Sequence, residues 1–189
     1  MATKYLFKDL LSKKVLILGD LGKGKTKLTV ELLKQAVQLG YAKDITIIDM
    51  APSKVIVKGV KVGGKILEIF DVSGEIRYLA PVKVETPRLK AKSGEELLRY
   101  VKVNRERIKP LIEEFLNAPS KILFINDVSI YLQSGRANLV ISAVKATKTL
   151  IANGYYGKFF KFDYGTEVSR IERDLMDLLA NNVDFTIHL

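Results

Sequence analysis

A glycine-rich octapeptide, GDLGKGKT from Gly19 to Thr26, separates an apolar run from a helical pattern and leaves few folds open. The four residues at 15–18 are all apolar, which is typical of a parallel strand buried on both faces. From Lys27 to Leu39, apolar residues recur at helical spacing, and Gly40 follows as a helix-end signal. A strand, a glycine-rich turn and a helix in this order predict an α/β fold.

The octapeptide matches G-x-x-x-x-G-K-[ST] at every fixed position. Glycines let several backbone N–H groups converge on one anion, and the helix that follows offers its positive end to the same anion. Lys25 has the position from which an amine reaches the β- and γ-phosphates, and Thr26 has the position whose hydroxyl binds Mg²⁺. The loop therefore predicts a site for ATP or GTP with Mg²⁺. The candidate contacts are Gly19, Asp20, Leu21, Gly22, Lys23, Gly24, Lys25, Thr26 and Lys27.

The remaining patterns alternate between strands and helices. Strands are predicted at 45–48, 122–125, 158–162 and 183–189, a hairpin at 55–70, and helices at about 94–116, 138–152 and 169–180. Capping boxes beginning at Ser93 and Ser169 open two of the helices, and Pro110 interrupts the first of them. We therefore expect a three-layer P-loop NTPase fold with a mostly parallel sheet and an antiparallel edge hairpin. We expect residues 1–189 to form a single domain.

A phosphate loop of this kind works with an acid at the end of a neighbouring strand. Asp71 follows the apolar alternation at 65–70, and Asp127 follows the apolar strand at 122–125. Asp71 is the first choice as the metal ligand beside Thr26. Asp127 is the alternative. It suits a class of P-loop proteins in which another strand is inserted between the strand before the phosphate loop and the strand that carries the acid. No glutamate follows Asp127, so the paired acids of motor ATPases are missing.

Two segments resemble motifs of the Ras-like GTPases: KVLILGDLGKGKTKLT and IFDVSGEIRY are similar to the first and third motifs of that family. The resemblance implies that Asp71 binds Mg²⁺ through water and that the N–H of Gly74 senses the γ-phosphate. It also implies that Glu75 takes the place of the glutamine that orients the attacking water. Lys25, Asp71 and Glu75 are then the catalytic candidates, and loss of the Gly74 contact would make the loop a nucleotide switch.

The guanine-reading motif of that family, Asn-Lys-x-Asp, matches only in part. Asn126 has the position of its asparagine, while the lysine and the aspartate that reads guanine have no counterpart. Asn126 and Asp127, at the end of this strand, are candidate nucleotide contacts. The run ITIIDMAPS resembles instead the related class of signal-recognition GTPases and MinD-like ATPases. The chain is therefore similar to the P-loop NTPase superfamily, and its base preference stays open.

Composition excludes several other chemistries. The sequence has no cysteine and one histidine, so disulfides, thiolate or histidine metal clusters and a serine–histidine triad are ruled out. It lacks an apolar run long enough for a membrane span, and its polar N-terminus is unlike a secretory signal, so we expect a cytoplasmic protein. The net charge of +10 fits a lysine-rich, heat-adapted protein, or a basic surface for nucleic acid or an acidic partner.

Three functions are consistent with these features. The first is a Mg²⁺-dependent nucleoside triphosphatase that acts as a small hydrolase or nucleotide switch, with a protein partner or activator. The second is a small-molecule or nucleotide kinase, in which the basic segment 83–110 forms a lid. The third is a nucleic-acid-associated module, for which the sequence has no binding fingerprint.

Overall fold

The computed structural model describes residues 5–57, 59–72 and 74–189, which alternate between strands and helices. The strands are β1 (Lys14–Gly19), β2 (Ile45–Asp49), β3 (Val55–Val57), β4 (Val60–Val62), β5 (Arg77–Leu79), β6 (Ile122–Asn126), β7 (Thr149–Tyr155) and β8 (Phe185–His188). The α-helices are α1 (Lys25–Gln38), α2 (Pro87–Lys90), α3 (Gly94–Asn117), α4 (Ser129–Leu132), α5 (Asn138–Ala146) and α6 (Val168–Ala180). Short 3-10 helices lie at Phe7–Leu10, Ala42–Asp44 and Ile66–Glu68.

Six strands form one sheet in the order β5-β2-β6-β7-β1-β8, and every neighbouring pair is parallel. The predicted α/β class with a mostly parallel sheet is therefore confirmed. Strand β7 lies between β1 and β6, with Val15 opposite Ile151 and Phe124 opposite the same residue on the other side. Because all strands run in one direction, their carboxyl ends meet at one edge of the sheet, which is where α/β proteins bind ligands.

Helices cover both faces of the sheet, as the predicted three layers require. Along β1, Val15 and Ile17 pack on the face that carries α1, whereas Leu16 and Leu18 pack on the face that carries α3, α5 and α6. This alternation follows from the period of two residues in a strand. Apolar residues on both faces explain why β1 reads as a continuous apolar run in the sequence.

The predicted hairpin is present, but its strands differ from those expected. The antiparallel pair is β3 with β4, and it forms a two-stranded sheet of its own. The prediction of a strand at 65–70 is wrong, because Ile66–Glu68 is a 3-10 helix. The N–H of Ile66 donates to Asp49 Oδ2 at 2.6 Å, so a distant carboxylate satisfies a backbone group that a strand would have paired.

The prediction of a helix at 138–152 is also wrong in its second half. Helix α5 ends at Ala146, and Thr149–Tyr155 is the fully paired strand β7. Residues 158–162, predicted as a strand, instead form a loop after β7. By periodicity alone, a short apolar run fits a buried strand and a buried helix equally well. The run at 149–152 is a strand because it pairs with β1 and β6.

The two predicted capping boxes have different outcomes. Ser93 Oγ accepts from the N–H of Glu96, so the serine half of the first box is confirmed, whereas Glu96 Oε2 accepts from the N–H of Lys92 rather than from that of Ser93. Helix α3 then runs unbroken through Pro110. The second box is wrong, because α6 begins at Val168 and its Glu172 is buried in an ion pair. Among the helices of the described residues, none is both long and apolar enough to cross a membrane.

Candidate functional site

The glycine-rich loop connects the carboxyl end of β1 to the first turn of α1. Gly22 and Gly24 have φ angles of 74° and 86°, a left-handed conformation that side chains with a Cβ disfavour. Gly24 is the N-cap residue of α1, and no side chain caps the 14-residue helix. The first N–H groups of α1 and its positive dipole end are therefore directed toward the loop, an arrangement that favours an anion there.

Lys25 lies inside the loop rather than in solvent. Its Nζ donates to the main-chain oxygen of Asp20 at 2.7 Å. Burial lowers the pKa of Lys25, and the nearby carboxylates of Asp127 and Asp20 oppose this effect. A desolvated amine beside the open end of a helix interacts more strongly with phosphate than a solvated one.

A cavity of about 410 Å³ opens beside the loop, and most of the predicted phosphate contacts line it. It is lined by Leu21, Gly22, Gly24, Lys25, Thr26 and Lys27 of the loop and helix, and by Asp127 and Asn153 from the ends of β6 and β7. Lys23 is exposed and does not line it. Two lysines of the hairpin region, Lys54 and Lys61, also line it. These two lysines were missed, because isolated lysines in a hairpin have no signature in the sequence.

Asp127 follows β6 and lies at the same edge of the sheet as the loop. Its φ of 59° is unusual for a residue other than glycine, and its N–H donates to Asn153 Oδ1 at 3.0 Å. Its Oδ1 accepts from the hydroxyl of Ser129 at 2.6 Å. Burial raises the pKa of the Asp127 carboxyl, while Ser129 and the charges of Lys25 and Arg88 oppose that shift. A strained, desolvated acid that shares a cavity with Lys25 has the position expected of a metal ligand.

Beneath the cavity, two asparagines connect three strands to α1. Asn126 Oδ1 accepts from the hydroxyl of Thr26 at 3.2 Å and from Asn153 Nδ2 at 2.9 Å. Asn153 Nδ2 also donates to Thr29 Oγ1, and Asn126 Nδ2 donates to Asp49 Oδ1. Asn126 was predicted as a nucleotide contact by analogy with a guanine-reading residue. In the structure it is fully buried, and its amide group is engaged with Thr26, Asn153 and Asp49.

The structure does not bring Asp71, Gly74 or Glu75 to the loop. Strand β5 begins at Arg77, so Glu75 lies toward the amino ends of the strands, where it pairs with Lys43 at 3.1 Å. Asp71 is exposed between Phe70 and Val72, which pack against the core on the α1 face. None of the three residues lines this cavity or a second, smaller cavity beside Lys25. Ser73 of the same segment lies outside the described residues.

A smaller cavity of about 80 Å³ adjoins Lys25 and Asp127 and extends toward α2 and α4. Arg88, Gln133 and Thr86 line it together with apolar side chains. The Oε1 atom of Gln133 and the Oγ1 atom of Thr86 are buried without a hydrogen-bond partner. A buried oxygen without a partner costs about 1–3 kcal/mol.

Arg88 belongs to a buried ion pair behind the small cavity. Its Nη2 donates to both carboxylate oxygens of Glu172 at 2.9 Å, and Gln133 Nε2 donates to Glu172 Oε2 at 2.7 Å. Burial raises the pKa of Glu172 to about 6, even though Arg88 stabilises its charge. This cluster attaches α2 to α6 and holds Arg88 near Asp127.

The parallel sheet, with the loop at the carboxyl end of β1, fits a P-loop fold. No protein-family model matches the sequence, and a comparison with curated proteins finds no significant match. Among solved structures, the chain is similar to the Pif1 helicase from Candida albicans at 16% identity and a TM-score of 0.36. The match covers 97% of this chain and 37% of the helicase chain. Such a likeness carries no functional argument, so function is inferred from the site.

Proposed function

We propose that the protein binds a nucleoside triphosphate with Mg²⁺ and hydrolyses its terminal phosphoanhydride bond. The observation that supports this proposal is the convergence of Lys25, Thr26 and Asp127 on one cavity at the carboxyl edge of the sheet. The cavity is lined by four lysines, which favours a polyanion.

The residues present fit a magnesium ion, with Asp127 in place of Asp71 as the acid. Mg²⁺ prefers oxygen ligands and relies on substrate phosphates and water for much of its coordination. Among residues 5–57, 59–72 and 74–189, no group of three or more His, Asp or Glu side chains could hold a metal ion. The Thr26 hydroxyl and the Asp127 carboxylate are the oxygen donors that the cavity offers. When bound, Mg²⁺ would neutralise charge that develops on the transferred phosphoryl group.

The role of each residue follows from its contacts. Lys25 stabilises negative charge on the terminal phosphates, and the N–H groups at the start of α1 hold the phosphates in position. Asn126 and Asn153 orient Thr26 and the backbone of Asp127, so the metal ligands are preorganised. Phosphoryl transfer depends mainly on positioning and electrostatic stabilisation, so the lack of a glutamate after Asp127 does not argue against slow hydrolysis.

A Ras-like switch has less support than simple hydrolysis. The switch requires Gly74 to contact the γ-phosphate, and the segment that contains Gly74 leads away from the loop to the start of β5. Asn126 is engaged beneath the loop, so the site has no described group that selects guanine.

The test is a titration of the purified protein with ATP and with GTP in Mg²⁺, followed by measurement of released phosphate. Lys25→Ala should weaken triphosphate binding by about two orders of magnitude, because the phosphates lose the desolvated ammonium group that pairs with them. Lys34→Ala, on the exposed side of the same helix, is the matched control and should bind as the unaltered protein does. Equal binding by the Lys25 variant would exclude the loop as the phosphate site.

A second function, transfer of the phosphoryl group to a small acceptor, is favoured by the unpartnered oxygens of Gln133 and Thr86. Both side chains line the small cavity that meets Lys25 and Asp127, where an acceptor with O–H or N–H groups would satisfy them. Phosphate release without any added acceptor supports the hydrolase. Nucleotide binding with negligible release supports the kinase.

A further inference from the structure

A groove lined by cationic and aromatic side chains lies between the loop after β7 and helix α6. It measures about 410 Å³, and its lining combines Lys158, Lys161 and Arg173 with aromatic side chains such as Tyr155 and Phe160. In the described chain, the ion pairs around this groove involve Arg88 and Arg170 and leave Lys158, Lys161 and Arg173 without a carboxylate partner. Arg173 Nη2 donates to the main-chain oxygen of Gly157 and its guanidinium lies over the Tyr156 ring, so Lys158 and Lys161 are the cations most available to a ligand.

The loop at residues 158–162, KFFKF, also presents aromatic rings to solvent. Phe159 is 49% exposed and Phe162 is 67% exposed. Each ring is supported edge-on by a neighbour, Phe159 by Phe160 at 5.0 Å and Phe162 by Tyr164 at 4.5 Å between centroids. Rings that are exposed yet held in place lose little conformational freedom when a ligand stacks on them.

We propose that this groove and the 158–162 loop bind single-stranded nucleic acid. Alternating lysines and phenylalanines match its two repeating groups, because phosphates pair with lysine and unpaired bases stack on aromatic rings in a sequence-tolerant way. An acidic protein segment would use the lysines but would leave the exposed rings without a stacking partner. A double helix would keep its bases stacked inside and so would not reach the rings.

The groove is joined to the phosphate loop through Asp20. Its carboxylate accepts from the N–H of Lys158 at 2.9 Å and from the N–H of Leu21 at 2.7 Å. These donors and the N–H of Phe159 lower the pKa of Asp20 against the opposing effect of burial. Gly157 lies so close to Asp20 that a Cβ would come within 2.2 Å of its Cγ. A change in the phosphate loop would therefore move the start of the 158–162 loop; this part of the proposal rests on the proposed function.

The experiment is fluorescence anisotropy of a labelled 20-residue oligothymidylate with nucleotide-free protein at several salt concentrations. We expect a Kd of about 10 µM or tighter at 50 mM salt. Phe159→Ala/Phe162→Ala should weaken binding about tenfold or more without changing the salt dependence, because it removes stacking only. Phe162→Ala alone replaces the double variant if the latter does not fold.

Lys158→Ala/Lys161→Ala should lower the slope of log K against log salt by about 1.4, since each phosphate contact contributes about 0.7. The matched control is Lys145→Ala/Lys148→Ala, a pair of exposed lysines with the same spacing near the start of β7, which should leave the slope unchanged. No binding at 50 mM salt, equal loss in the control pair, or unchanged affinity in the phenylalanine variant would overturn the proposal. Tighter binding of polyglutamate than of the oligonucleotide would also overturn it.

Coupling is measured by repeating the titration with ADP or ATP and Mg²⁺, after nucleotide binding has been measured separately. A change of about threefold or more in oligonucleotide affinity is expected. If both ligands bind independently, the coupling through Asp20 is wrong. If nucleotide does not bind but the oligonucleotide does, the proposed hydrolase function fails and the groove's function stands.

Discussion

Replacement of Asp127 by asparagine tests the central feature of the proposed site. The substitution keeps the size of the side chain, and the amide oxygen can still accept from Ser129, but it removes the carboxylate that shares a cavity with Lys25 and Thr26. Asp71→Asn is the matched control, because it makes the same chemical change at an exposed position that does not line the cavity.

We expect Asp127→Asn to lower the rate of hydrolysis without lowering the stability of the fold. Loss of a metal-binding carboxylate should raise the barrier to hydrolysis by about 3 kcal/mol, which reduces the rate about 100-fold. The pKa of Asp127 is raised by burial even with Lys25 nearby, so its charge is unfavourable in the folded protein at neutral pH. The neutral variant should therefore be as stable as the unaltered protein, or more stable.

Two measurements check this prediction. Phosphate release is followed against Mg²⁺ concentration for both variants, and thermal unfolding is followed without nucleotide. We expect the Asp127 variant to lose Mg²⁺-dependent activity without a lower Tm, and the Asp71 variant to match the unaltered protein. Loss of activity in Asp71→Asn with full activity in Asp127→Asn would show that the assignment of the metal acid is wrong.

Three further predictions concern residues around the loop. Lys54→Ala/Lys61→Ala should weaken triphosphate binding several-fold, more at low than at high salt, in a calorimetric titration, because two charges leave the cavity wall. The folded protein holds the proton of the Glu172 carboxyl more tightly than the unfolded chain does, so its stability should fall by about 2 kcal/mol as the pH rises from 4.5 to about 6. Glu172→Gln should remove this pH-dependent loss, measured by urea unfolding. An unchanged pH slope would contradict the raised pKa. Gly157→Ala should displace Asp20 and lower nucleotide affinity; unchanged affinity would show that this contact does not shape the loop.

Local chemistry explains which features could be predicted from the sequence. The order of strand, glycine turn and helix around residues 15–39 requires only neighbouring residues, and the structure contains it as predicted. The helix cap at Ser93 is equally local, because its hydroxyl accepts from the N–H of Glu96, three residues later. The parallel sheet also follows from the alternation of strands and helices along the chain.

Features that depend on distant contacts could not be predicted in this way. Residues 65–70 alternate like a strand, but Asp49 takes the N–H of Ile66 and holds the segment in a 3-10 helix. The polar residue Asn153 lies near the end of buried strand β7, and Asn126 is the last residue of β6; this placement is the available signal for the role of Asn153. The helix predicted at 138–152 hides that signal, since a residue after a helix has no reason to lie near the phosphate loop.

The position of β7 bears on the choice between the two candidate metal acids. The resemblance of IFDVSGEIRY to a GTPase motif favours Asp71, whereas Asp127 requires another strand between β1 and the strand that carries the acid. With β7 in place between β1 and β6, the acid that follows β6 lies across one strand from the phosphate loop, and Asn153 on the intervening strand donates to Asn126 and accepts from the N–H of Asp127. The strand order therefore accounts for the position of Asp127 and for the two asparagines that orient the site.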